Sequence, residues 1–559
     1  MDVLGPFQPL NPTKEERLQL LQYVLKENHR SEDFPNIVEL LNPPADITSI
    51  APPGSCKNIR VAVLGGGLAG LSAAFELRKL GFNITIFEAE ECRVGGRVYT
   101  HYFDRKKGLY GELGPMRFSV AHQTTWHYID LFGLNTRPFV QNEESTYIYV
   151  RGIRVRNNPE AVQRWIYPQF DLTPQEAQTP WPELEAKAFE TYLLSLTPET
   201  RKEILQVKKA YSPEINLADA LSAREIMEKE GLSEGAISML SSINPFIGSF
   251  LDNSYFEQLA EIYPANFSYL YEINGGLSKL PEAFYNSLAN DSPNEYGPQI
   301  PKDAIGKINF RFGHQVTGLK QWDEKKSVSV YFKSVGSQDF QEEVFDYVVC
   351  AIPFSNLRLL GLCPQFSSEK MQAIRLQNMS AAQKTVFLFS KQFWEEGPPE
   401  ERIMGGGSTT DLVINSIWYN PHTTDFPAPQ KPGVITASYN WTQDSVRLGN
   451  FKDDEIPEIV KRQVEKVHGL SPFYLDGIAI DHKTLQWNNH PWSLGGFTFY
   501  NPQQHRLFLW NSQQPEYSGR VFFAGEHVSV SRAWMQGALQ TGMEAANSIA
   551  QSCRSCTPF

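Results

Sequence analysis

One arginine stands in an apolar run where a charge needs a reason. Residues 111–118 read GELGPMRF, so Arg117 sits between Met116 and Phe118, and Glu112 is the other charge in the run. A guanidinium stays protonated at ordinary pH and forms planar two-point bonds with carboxylates and phosphates. The anion that meets Arg117 is a side chain, a phosphate or a substrate, and the residues alone leave all three open.

A second group of residues points to a phosphate-bearing ligand. Gly65, Gly67 and Gly70 spell G-x-G-x-x-G after the β-branched run NIRVAVL and before the helical stretch SAAFELRKLG. In such a turn the first glycine permits the bend, the second lets backbone approach a pyrophosphate, and the third lets helix and strand pack closely. Glu88 ends the next strand-like run, NITIFEAE, where a carboxylate can bind ribose hydroxyls. An acid there favours an unphosphorylated ribose, hence FAD or NAD rather than NADP. Gly95, Gly96 and Arg97 follow closely, with two glycines for close approach and an arginine for a pyrophosphate or the flavin side. Near the other end, VFFAGEHVSVSRAW ends a strand in Ala-Gly-Glu before a helix. Glu526 could bond ribitol while the helix N-terminus faces an electron-rich flavin edge.

The rest of the chain must position these residues. It has 559 residues, about three or four domains by length, with 41% hydrophobic and 12% aromatic residues, enough to line a sizeable pocket. A net charge of −12 argues against a nucleic-acid partner. The six cysteines are scattered, so no disulfide framework is visible, and CRSC at Cys553–Cys556 reads as incidental cysteines on a frayed tail. The N-terminus lacks a secretory pattern and no run of eighteen apolar residues appears, so the chain reads as soluble, cytoplasmic and without a membrane span. Residues 1–56 read as an extension with a helix at LQLLQYVLKENH and a proline-punctuated linker at PPADITSIAPPGS. From about 157 to 255 the pattern is helical (ELEAKAFETYLLSL, ETRKEILQVKKAY, NLADALSAREIMEKEG). From about 300 strand-like alternation returns in KINFRFGHQVTGLKQW, SVSVYFKSV, VFDYVVCAIP, KTVFLFS and GVITASYNW.

Taken together, GGGLAG with its distal Glu88, GGR, GGLSKLP, DYVVCAIP and FAGEH before WMQGALQTGMEAA resemble the flavin amine oxidases. GELGPMRF, KQFWEEG with GGGSTTDL, and QWNNHPWSLGGFTFY are most similar to the L-amino acid oxidases among them. The likeness runs from about Asn58 to Ser548. It implies a mixed α/β fold: a Rossmann-like FAD-binding domain (57–100, 266–376, 513–559 with the tail), a mixed-sheet substrate-binding domain (101–156, 377–512) and a helical subdomain (157–265), after the 1–56 extension.

The resemblance also implies roles. Arg117 grips a substrate α-carboxylate, shared by the Tyr439 hydroxyl. Lys384 holds a water beneath flavin N5. Trp534 walls the substrate slot, and the Ala533 carbonyl receives the substrate amine. Phe497 stands where related monoamine oxidases carry a flavin-linking cysteine, so FAD is expected without a covalent bond, and Trp487 packs near its dimethylbenzene edge. FAD contacts are expected at Gly65, Gly67, Leu68, Ala69, Gly70, Glu88, Gly95, Gly96, Arg97, Gly114, Pro115, Met116, Arg117, Val316, Trp487, Gly525, Glu526, Ala533 and Trp534. No metal is expected. The implied reaction passes a hydride from Cα of an L-amino acid to the flavin, and O₂ reoxidises it, giving a 2-oxo acid, ammonia and peroxide. His122 and His314 are general-base candidates by type only. Alternatives are an oxidative decarboxylation like that of tryptophan 2-monooxygenases, an amine or polyamine oxidase, and a flavin-binding sensor without turnover. A homodimer is expected by analogy.

Overall fold

The structure, a computed structural model, describes residues 5–322, 326–419 and 431–556, with side chains to 553. Its organising element is a five-stranded parallel sheet. The strands lie in the order Ile308–Arg311, Asn83–Phe87, Arg60–Leu64, Tyr347–Cys350, Val521–Phe523. Three distant stretches of chain therefore meet in one sheet. Successive side chains of a strand point to opposite faces, and RVAVL shows the result. Val61 and Val63 enter a core with the helices Leu68–Lys79 and Met535–Cys556, while Ala62 and Leu64 enter another core with Leu319, Val330 and Phe332. Burial on both faces is why this run is continuously apolar.

The second face is covered by an antiparallel sheet, Gln341–Phe345, Ser327–Ser334 and His314–Trp322, joined at its edge by Gly361–Cys363. KINFRFGHQVTGLKQW thus divides at Gly313, whose φ of +65° turns the chain, and its halves join different sheets. A seven-stranded mixed sheet follows the order Ala479–Gln486, Ala382–Phe389, Gly433–Trp441, Ser416–Tyr419, Gly407–Thr410, Tyr147–Val150, Ile153–Arg156. The helix Glu455–His468 covers it with Ile456, Val460, Val464 and Val467, a stripe at helical spacing. A small sheet pairs Leu270–Ile273 with Phe118–Ser119 and Thr136–Pro138, so a strand from the segment read as nucleotide-binding pairs with residues read as substrate-binding.

The helical unit holds Trp181–Ser195, Pro213–Ala220, Ala223–Lys229, Glu234–Ile243 and Tyr255–Ile262. ETRKEILQVKKAY is less helical than its composition suggests. The helix Pro198–Lys202 tightens into a 3₁₀ turn at Glu203–Leu205, and no helix continues through 206–212. The unit is tied to the C-terminal segment by Arg532, whose Nε donates to Glu257 Oε2 at 2.9 Å with both side chains buried. The extension is likewise packed. Thr13 and Glu16 form a capping box on Lys14–Glu27, and Arg17 pairs with Asp130 while lying 4.4 Å from the Trp126 ring.

Two readings change. The proline-rich linker carries the fully buried Ile47 in a 3₁₀ turn, so it is packed chain rather than a tether. The C-terminus is not a frayed tail up to its cysteines: the helix runs to Cys556 and Cys553 is buried, although the Cys556 side chain lies outside the described residues. Among the described residues no helix is long and apolar enough to cross a membrane, and no cluster of three metal-ligating side chains occurs.

Removing one partner of a buried ion pair leaves a charge with nothing to offset its desolvation. Glu257→Ala should therefore lower stability by about 3–5 kcal/mol, read from the denaturant midpoint. The double change Glu257→Leu with Arg532→Met should recover most of that loss.

Candidate active site

The site begins where the first strand of the parallel sheet stops. Gly65 turns the chain at φ +99°, and the helix Leu68–Lys79 starts at Gly67. A Cβ at Gly70 would lie 2.1 Å from the Gly65 carbonyl oxygen, so helix and turn approach as only glycine allows. Gly95 bridges Gly67 from the second glycine pair. At Gly114 a Cβ would lie 2.0 Å from the Arg97 carbonyl oxygen, which presses the GELGPMR loop onto the GGR loop. Glu88 accepts from the Gly66 amide at 2.8 Å and the Glu90 amide at 2.8 Å, and so closes the turn.

A long cavity opens along these loops. Its lining includes Gly65, Gly67, Leu68, Ala69, Glu88, Gly95, Gly96, Arg97, Gly114, Pro115, Val316, Lys384, Tyr439, Trp487, Phe497, Gly525, Glu526, Ala533 and Trp534. Three expected residues are not part of this lining. Gly70 is helix packing, Met116 is in a buried cluster with Trp418 and Trp534, and Arg117 is set among aromatic rings. Arg97 and Glu526, expected to reach a ligand, here bond each other: Arg97 Nη1 donates to Glu526 Oε1 at 2.6 Å. Burial works against ionisation of Glu526, yet Arg97 holds its carboxyl below the usual range. Glu526 also accepts from the Ala533 amide at 3.0 Å. Ala533 has φ +62°, a strained conformation for a residue with a Cβ, just before the helix Met535–Cys556 begins.

At the other end, strand pairing sets the chemistry. Ala382–Phe389 runs antiparallel to Gly433–Trp441 with Lys384 opposite Tyr439, which brings Nζ to 4.2 Å from the Tyr439 ring centre. Lys384 is 2% exposed, and Nζ donates to the Gly114 carbonyl at 2.6 Å. Burial pulls its ammonium down to about 7 against the opposing charge of Glu112, whose own carboxyl burial raises to about 8. Trp487 Nε1 donates to the Leu113 carbonyl at 2.7 Å.

Arg117 has the most unusual surroundings. Its guanidinium carbon lies 4.8 Å from the Trp418 ring centre, 5.3 Å from Phe139 and 5.6 Å from Phe267. Nε and Nη1 are buried, and neither has a hydrogen-bond partner among the described residues. Burial lowers its pKa to about 10, so it stays charged at neutral pH, with the acid Glu261 and Tyr439 close enough to be felt.

Glu261 gives no cue in the sequence, because it comes from the helical unit. Both its oxygens accept from Trp534 Nε1, at 3.0 and 2.9 Å, and Asn266 Nδ2 donates to it at 3.0 Å. His122 completes the chain. The Ser119 amide donates to Nδ1 at 3.2 Å, so the ring proton is on Nε2, facing Asn266 Oδ1 at 3.0 Å. Burial drives His122 down to about 4. This locked neutral ring packs in a T-shaped contact with Trp534, ring centres 4.7 Å apart, and has no free nitrogen for base catalysis. His314 lines the same cavity beside Glu88, its amide donating to the Glu88 carbonyl at 3.0 Å. Arg93, whose Nη1 donates to the Gly96 carbonyl at 2.8 Å, also lines the cavity, and its place in ECRVGGR could have marked it.

The groove passes two helix N-termini, a ribose-side acid and a wall without a cysteine at Phe497. It suits an extended flavin dinucleotide held without a covalent bond. The comparisons agree. The profile of the flavin containing amine oxidoreductases matches residues 68–550. An L-amino-acid oxidase of Siganus canaliculatus is 28% identical over 499 residues, 88% of this chain and 85% of that one. One from Sistrurus catenatus edwardsii is 27% identical over 537 residues, 94% and 92% of the two chains. Among solved structures, putrescine oxidase bound to putrescine has a TM-score of 0.65 at 16% identity, over 88% of this chain and 99% of that chain. Cyclohexylamine oxidase from Brevibacterium oxydans has 0.64 at 16% identity, over 89% and 99%. With this cavity and this match over most of its length, the chain belongs to the flavin-containing amine oxidoreductases.

Proposed function

We propose that the protein oxidises an L-α-amino acid to the imino acid, which water converts to a 2-oxo acid and ammonia while O₂ is reduced to hydrogen peroxide. The observation that carries this reading is the buried, unpartnered Nε and Nη1 of Arg117. Cation–π contacts contribute about 0.5–2 kcal/mol each, whereas an uncompensated buried charge costs several kcal/mol. An amine substrate brings no anion to offset that cost, and an α-carboxylate does.

In this reading Arg117 binds the carboxylate in the two-point geometry that a guanidinium favours, and the Tyr439 hydroxyl shares it. Trp534, held by Glu261 and braced by His122, walls the slot. Ala533 presents its carbonyl to the amine from its left-handed conformation. The bound flavin supplies the two-electron acceptor, returned to its starting state by O₂. Holding the substrate at two ends removes much of the entropic cost of alignment. Lys384 Nζ, tied to the Gly114 carbonyl, holds or releases a proton near neutral pH. The aromatic walls exclude water from both.

Holoenzyme in air with single L-amino acids should yield peroxide, ammonia and 2-oxo acid in equal amounts; an amide with CO₂ would contradict the reading. Arg117→Ala should retain flavin and lose about 2–5 kcal/mol of transition-state binding, roughly 30- to several-thousand-fold in kcat/KM. Undiminished turnover would remove the clamp. Glu261→Gln keeps the shape but swaps one acceptor for a donor facing Trp534 Nε1 and Asn266. A KM raised about tenfold, with near-normal flavin absorbance, is the expected result, costing about 1–2 kcal/mol. The Lys384 charge is lost as pH rises through about 7. Stopped-flow reoxidation should therefore slow over that range, and Lys384→Met should abolish the inflection.

A further inference from the structure

Two segments far apart in the chain line the flavin cavity. One, 88–97, carries the ribose-side acid and the second glycine pair. The other, 487–496, joins the strand Ala479–Gln486 to the strand Phe497–Thr498. The second segment is a closed turn. The His490 and Gly495 amides donate to the Trp487 carbonyl at 3.3 and 3.0 Å, and the Leu494 amide donates to the His490 carbonyl at 2.9 Å. Trp487 Nε1 fastens it to the Leu113 carbonyl. Asn356 Nδ2 donates to the Pro491 carbonyl at 2.8 Å, and Ser355 Oγ to the Ser493 carbonyl at 2.6 Å.

Side-chain bonds join the two segments at two places among the described residues. Arg97 Nη1 donates to the Gly496 carbonyl at 3.1 Å, and His490 Nε2 lies 3.1 Å from Glu90 Oε1. A carboxylate oxygen can only accept, so Nε2 carries the hydrogen. The His490 bond holds the Glu90 carboxyl below its usual range, and Arg93 Nη2, 3.4 Å from the same oxygen, adds a fixed positive charge. Glu90 also serves the ribose-side acid, since its amide donates to Glu88 Oε1 at 2.8 Å.

The two junctions differ in their surroundings. Arg97 continues inward to the buried Glu526. Glu90 and His490 have exposed neighbours on both segments, Glu91 and Cys92 on one and Asn489 and Pro491 on the other. The second junction is therefore at the solvent edge, yet its side chains are only 29% and 18% exposed.

We propose that 487–496 is a strap over the flavin cavity and that Glu90 and His490 are its clasp, holding the two walls together around FAD and setting how fast the cofactor leaves. With phenylalanine at 497 in place of a linking cysteine, retention rests on non-covalent closures of this kind. Parting the walls at the solvent edge requires the Glu90–His490 bond to break, because the bonds to Leu113, Ser355 and Asn356 do not reach the 88–97 segment. The Arg97–Gly496 bond is left as the hinge. Opening the clasp also loosens Glu88, because the amide and the carboxylate of one residue serve both.

The test follows release of FAD from holoenzyme freed of excess cofactor, read as the rise in free-flavin fluorescence after dilution. No amino acid is added, so this proposal and the substrate reading fail separately. Glu90→Ala and His490→Ala should each release FAD about three- to tenfold faster, as expected for loss of one half-buried ion pair. Two residues that form one clasp are not additive, so the double variant should release it no faster than the faster single one. His490→Gln, which keeps an N–H to offer Glu90, should stay within about twofold of the parent. Hydrogen–deuterium exchange of the parent and His490→Ala holoenzymes should show faster exchange across 487–495 in the variant, with the strand Ala382–Phe389 unchanged. Parental release rates in both alanine variants, additive effects in the double variant, or His490→Gln releasing as fast as His490→Ala would each overturn the clasp.

Discussion

A guanidinium shielded from water must be met by negative charge, and around Arg117 the fold supplies rings instead. Trp418, Phe139 and Phe267 give it partial electrostatic comfort and strip its hydration. The acid that senses it, Glu261, is held off by Trp534 and Asn266, which occupy its oxygens. Had Glu261 been free to swing onto Arg117, the pair would have closed on itself and no substrate anion would be needed. The hydrogen-bond chain from Ser119 through His122 and Asn266 ends on Glu261, which also holds Trp534. Glu261 comes from the helical unit, and the buried Arg532–Glu257 pair docks that unit onto the C-terminal segment one residue before Ala533.

The same economy of charge runs down the cavity. Arg97 and Glu526 pair across it. Lys384 and Glu112 weaken each other's burial penalty without full compensation, which leaves an ammonium that gives up its proton near neutrality. Partly compensated charges of this kind destabilise a fold slightly and are useful where protons move. The parallel sheet bears that cost: its strands are buried on both faces, and the first of them leads into the glycine turn.

The parts legible in the sequence were those whose chemistry is local. The glycine turn, Glu88 and the strand on either side are close together in the chain, and spacing alone defines them. Val316, Trp487 and Phe497 needed a family likeness, because nothing in their own neighbourhoods tells where the chain will carry them. Lys384 stands in its strand like any lysine, and nothing in AAQKTVFLF marks it as buried; its burial comes from pairing with Tyr439 across a strand and from Gly114 in a distant loop. Glu261 was invisible, since a glutamate in an amphipathic helix looks like any solvated one until Trp534 arrives from the far end of the chain. The frayed-tail reading of CRSC failed for a related reason: the helix Met535–Cys556 continues through it and buries Cys553 against chain that lies far away in sequence.

The central claim is that the site is built for a carboxylate. The most direct test is anaerobic stopped-flow bleaching of the flavin by matched pairs that differ only in that group, such as L-phenylalanine and phenethylamine. The account predicts reduction by the amino acid at least a hundredfold faster at equal concentration, about 2.7 kcal/mol or more. Equal rates for the two, or a faster amine, would mean that Arg117 meets no substrate carboxylate and that the chain is an amine oxidase.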